Sequence, residues 1–464
     1  NKTNKLVDEK KIDAKYKIQI NVSKLISKQL LTKAQEHEVV LKDKYRISEN
    51  LNVVDMSNKD SSNKVFLEEL EKNPDVIFQP YLHSKDFVGR LDFVKIVDDN
   101  LHIIDAKLSS SIKTEHIMQL FVYREILEIV TKKDVTECFL FLGDLQMHKV
   151  EFDEYKELYA ELKNQFIDFN KSYDPETPPY PKKGEDLQEY DDEAKKIWIR
   201  DDGLELLYRI QAKQIEKLNN NDIKTVEELK NTNLEKIDGM GEATFIKYKK
   251  LAQLLHDSTE NEILYEIKDP SLNGLLKPEK GDLYIDFEGY PFLTIGRNFE
   301  YLYGIWSNDE KNSFTYYWSD DEEEEKNSFV SFVEKLLEHL ELYPDAKFYH
   351  YFSYEISSLR KSAQIFGMYE KELEQLIEKK CFVDLFTTVN SSLLIGASSY
   401  SLKTVEKMAG INRTEDLQSG MESIQYFEDY FFNEEYELKD LIIEYNKADC
   451  KNLYLLHDWL ARLL

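Results

Sequence analysis

The sequence predicts an α/β protein of several domains. Its 464 residues are more than one hydrophobic core usually serves, which favours two or three domains. Strand and helix patterns are mixed in the first 170 residues, and they alternate again from about residue 281 onward. A charged stretch with four prolines, Lys171 to Glu189, separates the first region from the rest. We therefore expect an α/β domain at 1–170, a linker at 171–200, a small helical region at 201–267 and a second α/β domain at 275–464.

Composition narrows the class of protein. Apolar residues make up 42% of the chain, which is enough for packed cores, and no apolar run is long enough to predict a transmembrane helix. The charged N-terminal segment lacks the apolar core of a signal peptide. The three cysteines are widely spaced, so a reducing, cytoplasmic location is expected and a zinc finger is not. A net charge of −28 argues against nonspecific coating of nucleic acid, so phosphate binding would have to be local, at metal ions or small basic patches.

Two acids and a lysine form the first group of candidate catalytic residues. The stretches FVGRLDFVKIV and NLHIIDAKL read as two strands joined by a turn at residues 98–100. Asp105 and Lys107 are two residues apart and should face the same side, and the hairpin can bring Asp92 beside them. Two carboxylates suit Mg²⁺ or Mn²⁺, which prefer oxygen ligands. A nearby lysine can stabilise negative charge that develops on a phosphate.

Neighbouring segments could extend this first site. Gln119 and Tyr123 are four residues apart on a helix predicted from about Thr114, so they share a face that can dock a nucleic-acid backbone or brace a metal site. His37 and Glu38, on a predicted helix, are candidates for further metal ligands or contacts with metal-bound water. The alternative is a surface hairpin with ordinary charges, because a D-x-K pair alone is common by chance.

The middle region contains a glycine hairpin that could bind a phosphate. In DIKTVEELKNTNLEKIDGMGEATFIKYKKLAQ, Gly239 and Gly241 allow backbone amides to approach a phosphate just before a helix N-terminus. Lys247, Lys249 and Lys250 then supply positive charge in an acidic protein. The alternative is a purely structural connector, since such hairpins also join helices without binding anything.

The second group of acids lies in the C-terminal region. In GDLYIDFEG, Asp286 and Glu288 face the same side of a strand that reads as buried, which is costly unless a cation compensates the charge. In KFYHYFSYEISSL, Glu355 stands at a strand-to-helix junction. In the late helix LIIEYNKADCKNLYLLHDWL, Tyr445 and Asp449 are four apart and project from one face.

Further residues near these motifs have open interpretations. Asp384 in CFVDLFTTV is a candidate ligand or, equally, a helix cap, and His350 is interpreted as structural. The stretch SSYSLKTVEKMAG at 398–410 predicts a helix N-terminus after serine residues and is a candidate lining of the substrate groove.

The ordered motifs resemble known nuclease families. GRLD, IIDAK and QLFVY resemble the acid, D/E-x-K and Q-x-x-x-Y series of RecB-like PD-(D/E)xK nucleases, which implies a restriction-endonuclease-like α/β domain. The middle segment resembles a helix-hairpin-helix unit. The D-x-E strand, the junction acid and the Y-x-x-x-D helix resemble DEDDy exonucleases of the RNase H-like superfamily, closest to the YprB type. That resemblance implies two divalent metals on Asp286, Glu288, Glu355 and Asp449, with Tyr445 orienting the attacking water. Glu355 departs from the family's usual aspartate.

Together these parts resemble one family of RecB-like nucleases from about Glu36 to Leu464. The resemblance implies a Mg²⁺- or Mn²⁺-dependent nuclease with one or two metals at the first site and two at the second. DNA is the expected substrate, RNA the alternative, and a superfamily 1 helicase a possible partner, since no ATP-binding motif is present. Relatives often carry a cysteine cluster after the first domain; this chain has none there, so no iron–sulfur cluster is expected. The competing hypothesis is a nucleic-acid-binding adaptor for a helicase, with one or both sites inactive.

Overall fold

The computed structural model describes residues 28–58, 62–109, 111–174, 177–185, 187, 190–294, 297–308, 313–413 and 420–464. These residues divide into two compact units. Of the described residues, those up to Pro179 and those within 292–297 belong to the first unit, and those within 180–291 and 298–464 belong to the second. None of the described helices is both long and apolar enough to cross a membrane.

The first unit is a mixed sheet with helices packed against it. The strands are β1 (Val53–Asp55), β2 (Val76–Phe78), β3 (Tyr81–His83), β4 (Val88–Arg90), β5 (Phe93–Val97), β6 (Asn100–Ala106), β7 (Val135–Phe141) and β8 (Met147–Lys149). The helices are α1 (Lys28–Asp43), α2 (Asn63–Leu70), α3 (Thr114–Thr131) and α4 (Lys156–Ser172). Six strands form one sheet in the order β1-β2-β5-β6-β7-β8, and β3 pairs with β4 in a second, two-stranded sheet.

The hairpin between β5 and β6 forms where the sequence predicts it. Asp98 and Asp99 both have positive φ, 47° and 64°, as a two-residue turn with the twist of a hairpin requires. The strand predicted over residues 87–97 is instead two strands. Val88–Arg90 pairs with β3, whereas Phe93–Val97 pairs with β2 and β6 in the large sheet. Asp92 therefore lies in the short connection between β4 and β5.

The second unit contains a five-stranded sheet with helices around it. Its strands are β9 (Tyr265–Ile267), β10 (Leu283–Thr294), β11 (Arg297–Ser307), β12 (Phe314–Trp318), β13 (Phe348–His350), β14 (Phe382–Asp384) and β15 (Leu393–Ile395). Its helices are α5 (Asp191–Arg200), α6 (Ala212–Asn219), α7 (Val226–Asn231), α8 (Glu242–Asp257), α9 (Glu322–Leu342), α10 (Tyr354–Phe366), α11 (Glu370–Glu378), α12 (Leu385–Ser392), α13 (Leu402–Met408), α14 (Gly420–Asn433) and α15 (Leu438–Ala461). The strand order is β12-β11-β10-β13-β14, with β10, β13 and β14 mutually parallel.

The middle of the chain is built into this second unit. Helix α5 occupies the end of the span 171–200 that the sequence predicts as a linker, and its Trp198 is buried with Nε1 donating to the carbonyl of Pro181 at 2.9 Å. Helices α6, α7 and α8 share an apolar core that includes Leu394 from β15. The adjoining strand β9 pairs with β15 in antiparallel fashion.

Helix α15 lies very close to the central sheet because β11 has a glycine at the point of contact. A Cβ atom at Gly304 would lie 1.8 Å from Oδ1 of Asn446 and 3.0 Å from Sγ of Cys450, both on α15. Asn446 and Cys450 are fully buried. The side chains of α15 that face the sheet therefore depend on Gly304 for their position.

We expect Gly304→Ala to lower the free energy of unfolding of the second unit by about 3 kcal/mol, because overpacking must displace α15 or its side chains. Urea unfolding followed by tryptophan fluorescence measures this, since all four tryptophans (Trp198, Trp306, Trp318 and Trp459) belong to that unit. Gly241→Ala is the control, because a Cβ atom there would lie 3.9 Å from its nearest neighbour. Equal losses in the two variants would contradict the packing argument.

Candidate metal-binding sites

The acids of the C-terminal motif lie on the central strand of the five-stranded sheet. Asp286 and Glu288 are two residues apart on β10, which has β11 on one side and β13 on the other. Strand geometry therefore directs both carboxylates to the same face, as the sequence predicts. Glu288 is buried, and the hydroxyl of Tyr301 on β11 lies 3.5 Å from its Oε2 atom.

The third carboxylate comes from helix α15. Among the described residues, ligand atoms of Asp286, Glu288 and Asp449 form the one group of three His, Cys, Asp or Glu side chains that lie within 4.8 Å of one another. Asn446, on the same helix, donates from Nδ2 to Oδ2 of Asp286 at 2.8 Å. Tyr445 is buried on this helix, and its hydroxyl interacts with the Asp449 carboxylate. The helix thus brings a ligand, a hydroxyl and an orienting amide to the strand.

Burial raises the pKa of each carboxyl in this group. Burial, followed by the charges of Asp449 and Glu288, raises the pKa of Asp286 well above its ordinary value. Burial and the charge of Asp449 raise the pKa of Glu288 to about 8. Burial raises the pKa of Asp449 to about 6 although the Arg413 guanidinium opposes that rise. Burial and mutual repulsion make it unfavourable for these carboxyls to be ionised together. A bound cation would stabilise their ionised forms because it balances their charge.

Glu355 is buried at the start of α10 but stands outside the group of three. Its Oε2 atom lies 3.4 Å from Nδ1 of His350, at the end of β13. Burial raises the pKa of Glu355 while His350 opposes the rise, and the charge of Glu355 in turn raises the pKa of Asp286. Glu355 is therefore close enough to act on the group electrostatically, and its partner in this structure is the histidine.

Asp384 caps a helix, which is one of the two roles that the sequence left open for it. Its Oδ1 atom accepts the amide of Phe386 at 2.9 Å and caps helix α12, and it also accepts the amide of Phe352 at 3.0 Å. Its Oδ2 atom accepts the hydroxyl of Thr387 at 2.7 Å.

Several residues around Asp449 were not found from the sequence. The Arg413 guanidinium donates to both oxygens of the buried Glu406, at 2.6 and 2.7 Å, and also to Asp449. Lys403, on α13, has its ammonium 5.2 Å from the centre of the Tyr445 ring. Arg413 is 36 positions before Asp449, so no helical or strand spacing predicts that the two side chains meet. Lys403 lies in the stretch 398–410, which the sequence did indicate as a candidate lining of the groove.

In the first unit, the predicted acids and lysine do come together. Asp105 is buried on β6, and Nζ of Lys107 lies 2.6 Å from its Oδ2 atom. Asp92 accepts the amide of Ala106 at 2.8 Å. Burial and the charges of Asp105 and Glu38 raise the pKa of Asp92. Burial alone would lower the pKa of Lys107, but the charges of Asp105 and Asp92 outweigh it and hold that pKa above its ordinary value.

His37 and Glu38 are both buried on α1. Nε2 of His37 bonds the carbonyl of Phe141 at 3.1 Å, and the two rings stack with centroids 4.6 Å apart. Because a carbonyl only accepts, Nε2 carries the proton and Nδ1 keeps its lone pair, which has no hydrogen-bond partner among the described residues. Burial lowers the pKa of His37, which favours this neutral form. Glu38 accepts a hydrogen bond from Gln79.

Gln119 and Tyr123 meet on α3 as the spacing predicts. Nε2 of Gln119 donates to the Tyr123 hydroxyl at 2.6 Å. Burial, followed by the charges of Asp105 and Asp92, raises the pKa of Tyr123. This pair therefore lies near the two acids of the first unit.

The predicted glycine hairpin is a turn before α8. Gly239 has a φ of +75°, and Gly241 is the residue that precedes the first turn of α8. The carbonyl of Gly239 accepts a hydrogen bond from Lys217.

Two of the three lysines predicted to bind nucleic acid already have intramolecular partners. Lys249 donates to the carbonyl of Thr232, and Lys250 pairs with Glu266. Lys247 lies over the ring of the tyrosine that follows it. Phosphate binding by these lysines and by the glycine turn stays a prediction.

The chemistry of the donor groups fits a hard divalent cation in the second unit. Asp286, which is partly buried, and Glu288 and Asp449, which are buried, offer only oxygen, the ligand type that Mg²⁺ and Mn²⁺ prefer. In the first unit, Asp92 and Asp105 also offer carboxylate oxygens, but Lys107 already balances the charge of Asp105.

Comparison with known families agrees with the geometry of the second unit. A family model described as the RNase_H superfamily matches residues 283–461, which include β10, the helix α15 and all three carboxylates. No curated protein and no solved structure matches the chain. The second unit therefore carries an RNase H-like domain, and this domain points to nuclease-type activity.

Proposed function

We propose that this protein is a divalent-metal-dependent nuclease that hydrolyses phosphodiester bonds in DNA. The observation that carries the proposal is the close group of carboxylates of Asp286, Glu288 and Asp449 within a domain that matches the RNase_H superfamily. A 3′-to-5′ exonuclease activity at this site, in DNA repair or in defence against foreign DNA in the cytoplasm, is the form that the sequence motifs favour.

In the proposed mechanism, Asp286, Glu288 and Asp449 would hold the metals. Two divalent cations bound there would stabilise the entering and leaving oxygens of an in-line cleavage. Asn446 fixes the direction of the Asp286 carboxylate through its hydrogen bond at 2.8 Å. The Tyr445 hydroxyl orients the attacking water beside Asp449. Its high pKa, caused first by burial, keeps it a neutral hydroxyl that can donate a hydrogen bond.

Glu355 is proposed as a further ligand of this site, although its carboxylate is not part of the group of three. Its carboxylate is buried and close enough to raise the pKa of Asp286, but it faces His350. Glu355 would therefore serve as a ligand only after it exchanges its histidine partner for a cation.

We propose the first unit as a second nuclease site. Asp92 and Asp105, with His37 and Glu38, supply the candidate metal donors, and Lys107 would stabilise charge that develops on the phosphate. Gln119 and Tyr123 would brace the acids from α3.

A specific observation also supports a binding role for the first unit. The 2.6 Å ion pair between Lys107 and Asp105 already neutralises one of its acids, which favours a site that binds nucleic acid without cutting it. In that form the chain would be an adaptor for a superfamily 1 helicase, with cleavage confined to the second unit.

We expect Asp286→Asn to reduce cleavage by the second site more than about 100-fold, since losing even a residue that only supports a metal ligand costs about 10- to 100-fold. The measurement uses end-labelled single-stranded DNA, duplex DNA and RNA, with Mn²⁺ or with EDTA. Asp440→Asn is the matched control, because Asp440 is exposed on the same helix as Asp449. Its activity should equal that of the wild type.

The same assay separates the two sites. Asp105→Asn should leave the Asp286-dependent product ladder intact and remove any second set of products. Unchanged Mn²⁺-dependent cleavage in the variant that combines Asp105→Asn with Asp286→Asn would refute both nuclease sites. A wild-type chain that binds DNA but cleaves none of the three substrates would support the adaptor, and cleavage of RNA alone would reassign the substrate.

We expect Mn²⁺ affinity of the second unit to rise as the pH increases from about 6 to about 8. Glu288 and Asp449 have pKa values of about 8 and about 6 without metal, so a cation must displace protons from them at lower pH. Isothermal titration calorimetry in two buffers of different ionisation enthalpy would measure both the affinity and the protons released. Glu288→Gln should remove most of the dependence above pH 6.

The same pKa values predict how stability changes without metal. Carboxyls whose pKa is raised in the folded state bind more protons than they do when unfolded, so the free energy of unfolding falls as the pH rises. For Glu288 the loss runs from its ordinary pKa of 4.5 to about 8. Urea unfolding in EDTA should show this fall, and Mn²⁺ should reverse it at pH 8. A metal-free stability that rises over this range in the wild type but not in Glu288→Gln would contradict the assignment.

A further inference from the structure

Lys403 places an ammonium group without a partner beside the proposed metal centre. The side chain extends from α13, and its Nζ atom is shielded from solvent with no hydrogen-bond acceptor among the described residues. The nearest aromatic ring is that of Tyr445, with its centroid 5.2 Å away. Burial, and next the charge of Arg413, lowers the pKa of Lys403. A buried cation without an acceptor is costly, which suggests that a ligand supplies the acceptor.

Arg413 presents a second donor in the same place. Its Nε and Nη2 atoms are engaged by Glu406 and Asp449, but Nη1 is buried and has no hydrogen-bond partner in the part of the chain that the structure describes. Its guanidinium carbon lies 5.7 Å from the centre of the Tyr445 ring. Both unsatisfied donors therefore lie against the side chain proposed to orient the attacking water.

The charges favour an anion at this position. Glu406 balances Arg413, and two divalent cations would more than balance the three carboxylates of Asp286, Glu288 and Asp449. Lys403 then adds a positive charge beside Asp449, and although Asp449, Glu406 and Glu422 act on it at longer range, none of them accepts a hydrogen bond from its ammonium group.

We propose that Lys403 and the Nη1 edge of Arg413 bind a nonbridging oxygen of a substrate phosphodiester beside Asp449. This inference rests on the proposed nuclease function of the second unit. A charged donor that is hydrogen-bonded to a phosphate holds the strand so that its phosphodiester lies in line with the water on Tyr445. Lys403 is thus a substrate-binding residue and not a structural counter-ion of Asp449.

The first test measures binding without cleavage. The full chain carrying Asp286→Asn is titrated, with Ca²⁺ in place of Mn²⁺, with a fluorescent single-stranded DNA or RNA oligonucleotide at several KCl concentrations. Adding Lys403→Ala should weaken binding about 10- to 100-fold, as expected for loss of a hydrogen bond to a charged group. The slope of log affinity against log salt should fall by about 0.7, the value for one phosphate contact on a single strand. Lys403→Arg should restore most of both.

Lys326→Ala is the matched control for this series. Lys326 is an exposed lysine on α9, outside the stretch 398–410, so its loss should leave both the affinity and the salt slope unchanged. Tryptophan fluorescence during urea unfolding shows whether each variant is folded under the assay conditions. An unfolded Lys403→Ala chain would be replaced by Lys403→Met, which keeps most of the length of the side chain but not its charge.

A second test identifies the phosphate as the ligand. Replacing the 3′-terminal phosphodiester by a neutral methylphosphonate should weaken binding to the Asp286→Asn chain and have no further effect when Lys403→Ala is present. Additive losses, or an affinity and slope unaffected by Lys403→Ala, would overturn the inference. An absence of binding to both DNA and RNA would also overturn it.

Steady-state kinetics in the active chain separate this inference from the proposed function. Lys403→Ala should raise KM more than it lowers kcat, and Lys403→Arg should recover KM. Cleavage that persists in Asp286→Asn would refute the proposed site itself. Cleavage that depends on Asp286 but shows wild-type KM in Lys403→Ala would refute only the phosphate contact.

Discussion

The electrostatic cost of gathering carboxylates away from water governs the design of the second unit. Asp286, Glu288 and Asp449 offer oxygens within 4.8 Å of one another, and moving even one ion out of water costs several kcal/mol before repulsion is counted. The fold holds them in place by fixing two on the central strand and one on a long helix. Gly304 lets that helix approach, and the amide of Asn446 supplies a hydrogen bond. The group is consequently rigid and short of positive charge, which is the state that a cation stabilises.

The two acidic sites solve the same problem differently. In the first unit the compensating cation is Lys107, two residues from Asp105 on the same segment of chain, so the pair is neutral as soon as the strand forms. In the second unit, Arg413 compensates Asp449 from 36 residues away and is itself shared with Glu406. In the part of the chain that the structure describes, Arg413 pairs with Glu406 and Asp449, and it acts on Asp286 of β10 only at longer range. A bound cation would therefore stabilise the acids of the second unit more than those of the first, and the family match covers the acids of the second unit alone.

Local geometry explains which parts of this arrangement were predictable. The two-residue repeat of a strand places Asp286 and Glu288 together, and the four-residue repeat of a helix does the same for Tyr445 with Asp449 and for Gln119 with Tyr123. These pairs need no knowledge of the tertiary fold. The predicted turn at residues 98–100 is also local, since two consecutive positive φ angles favour aspartate and asparagine.

Tertiary contacts decided what the sequence did not reveal. The sequence around Arg413 does not predict its contact with Asp449. The position of Glu355 at the start of α10 does not predict that its carboxylate faces His350. The strand predicted over 87–97 divides because its two halves have different partners. The polar composition of residues 171–200 predicted a linker, but burial of Trp198 outweighs that polarity and orders α5.

The middle helices pack against the RNase H-like domain, and this packing determines where the chain could be cut without exposing its core. Leu394 belongs to the core of α6, α7 and α8, β15 pairs with β9, and Tyr208 stacks on Tyr400 with ring centroids 3.7 Å apart. The family match begins at residue 283, inside this shared packing. A fragment cut at that point would lose a strand partner and uncover an apolar surface. The cooperative unit, in the sense of a segment whose amides exchange with solvent together, would therefore begin near Tyr180, about a hundred residues before the family match. An RNase H-like domain moved to another chain would have to carry these helices with it.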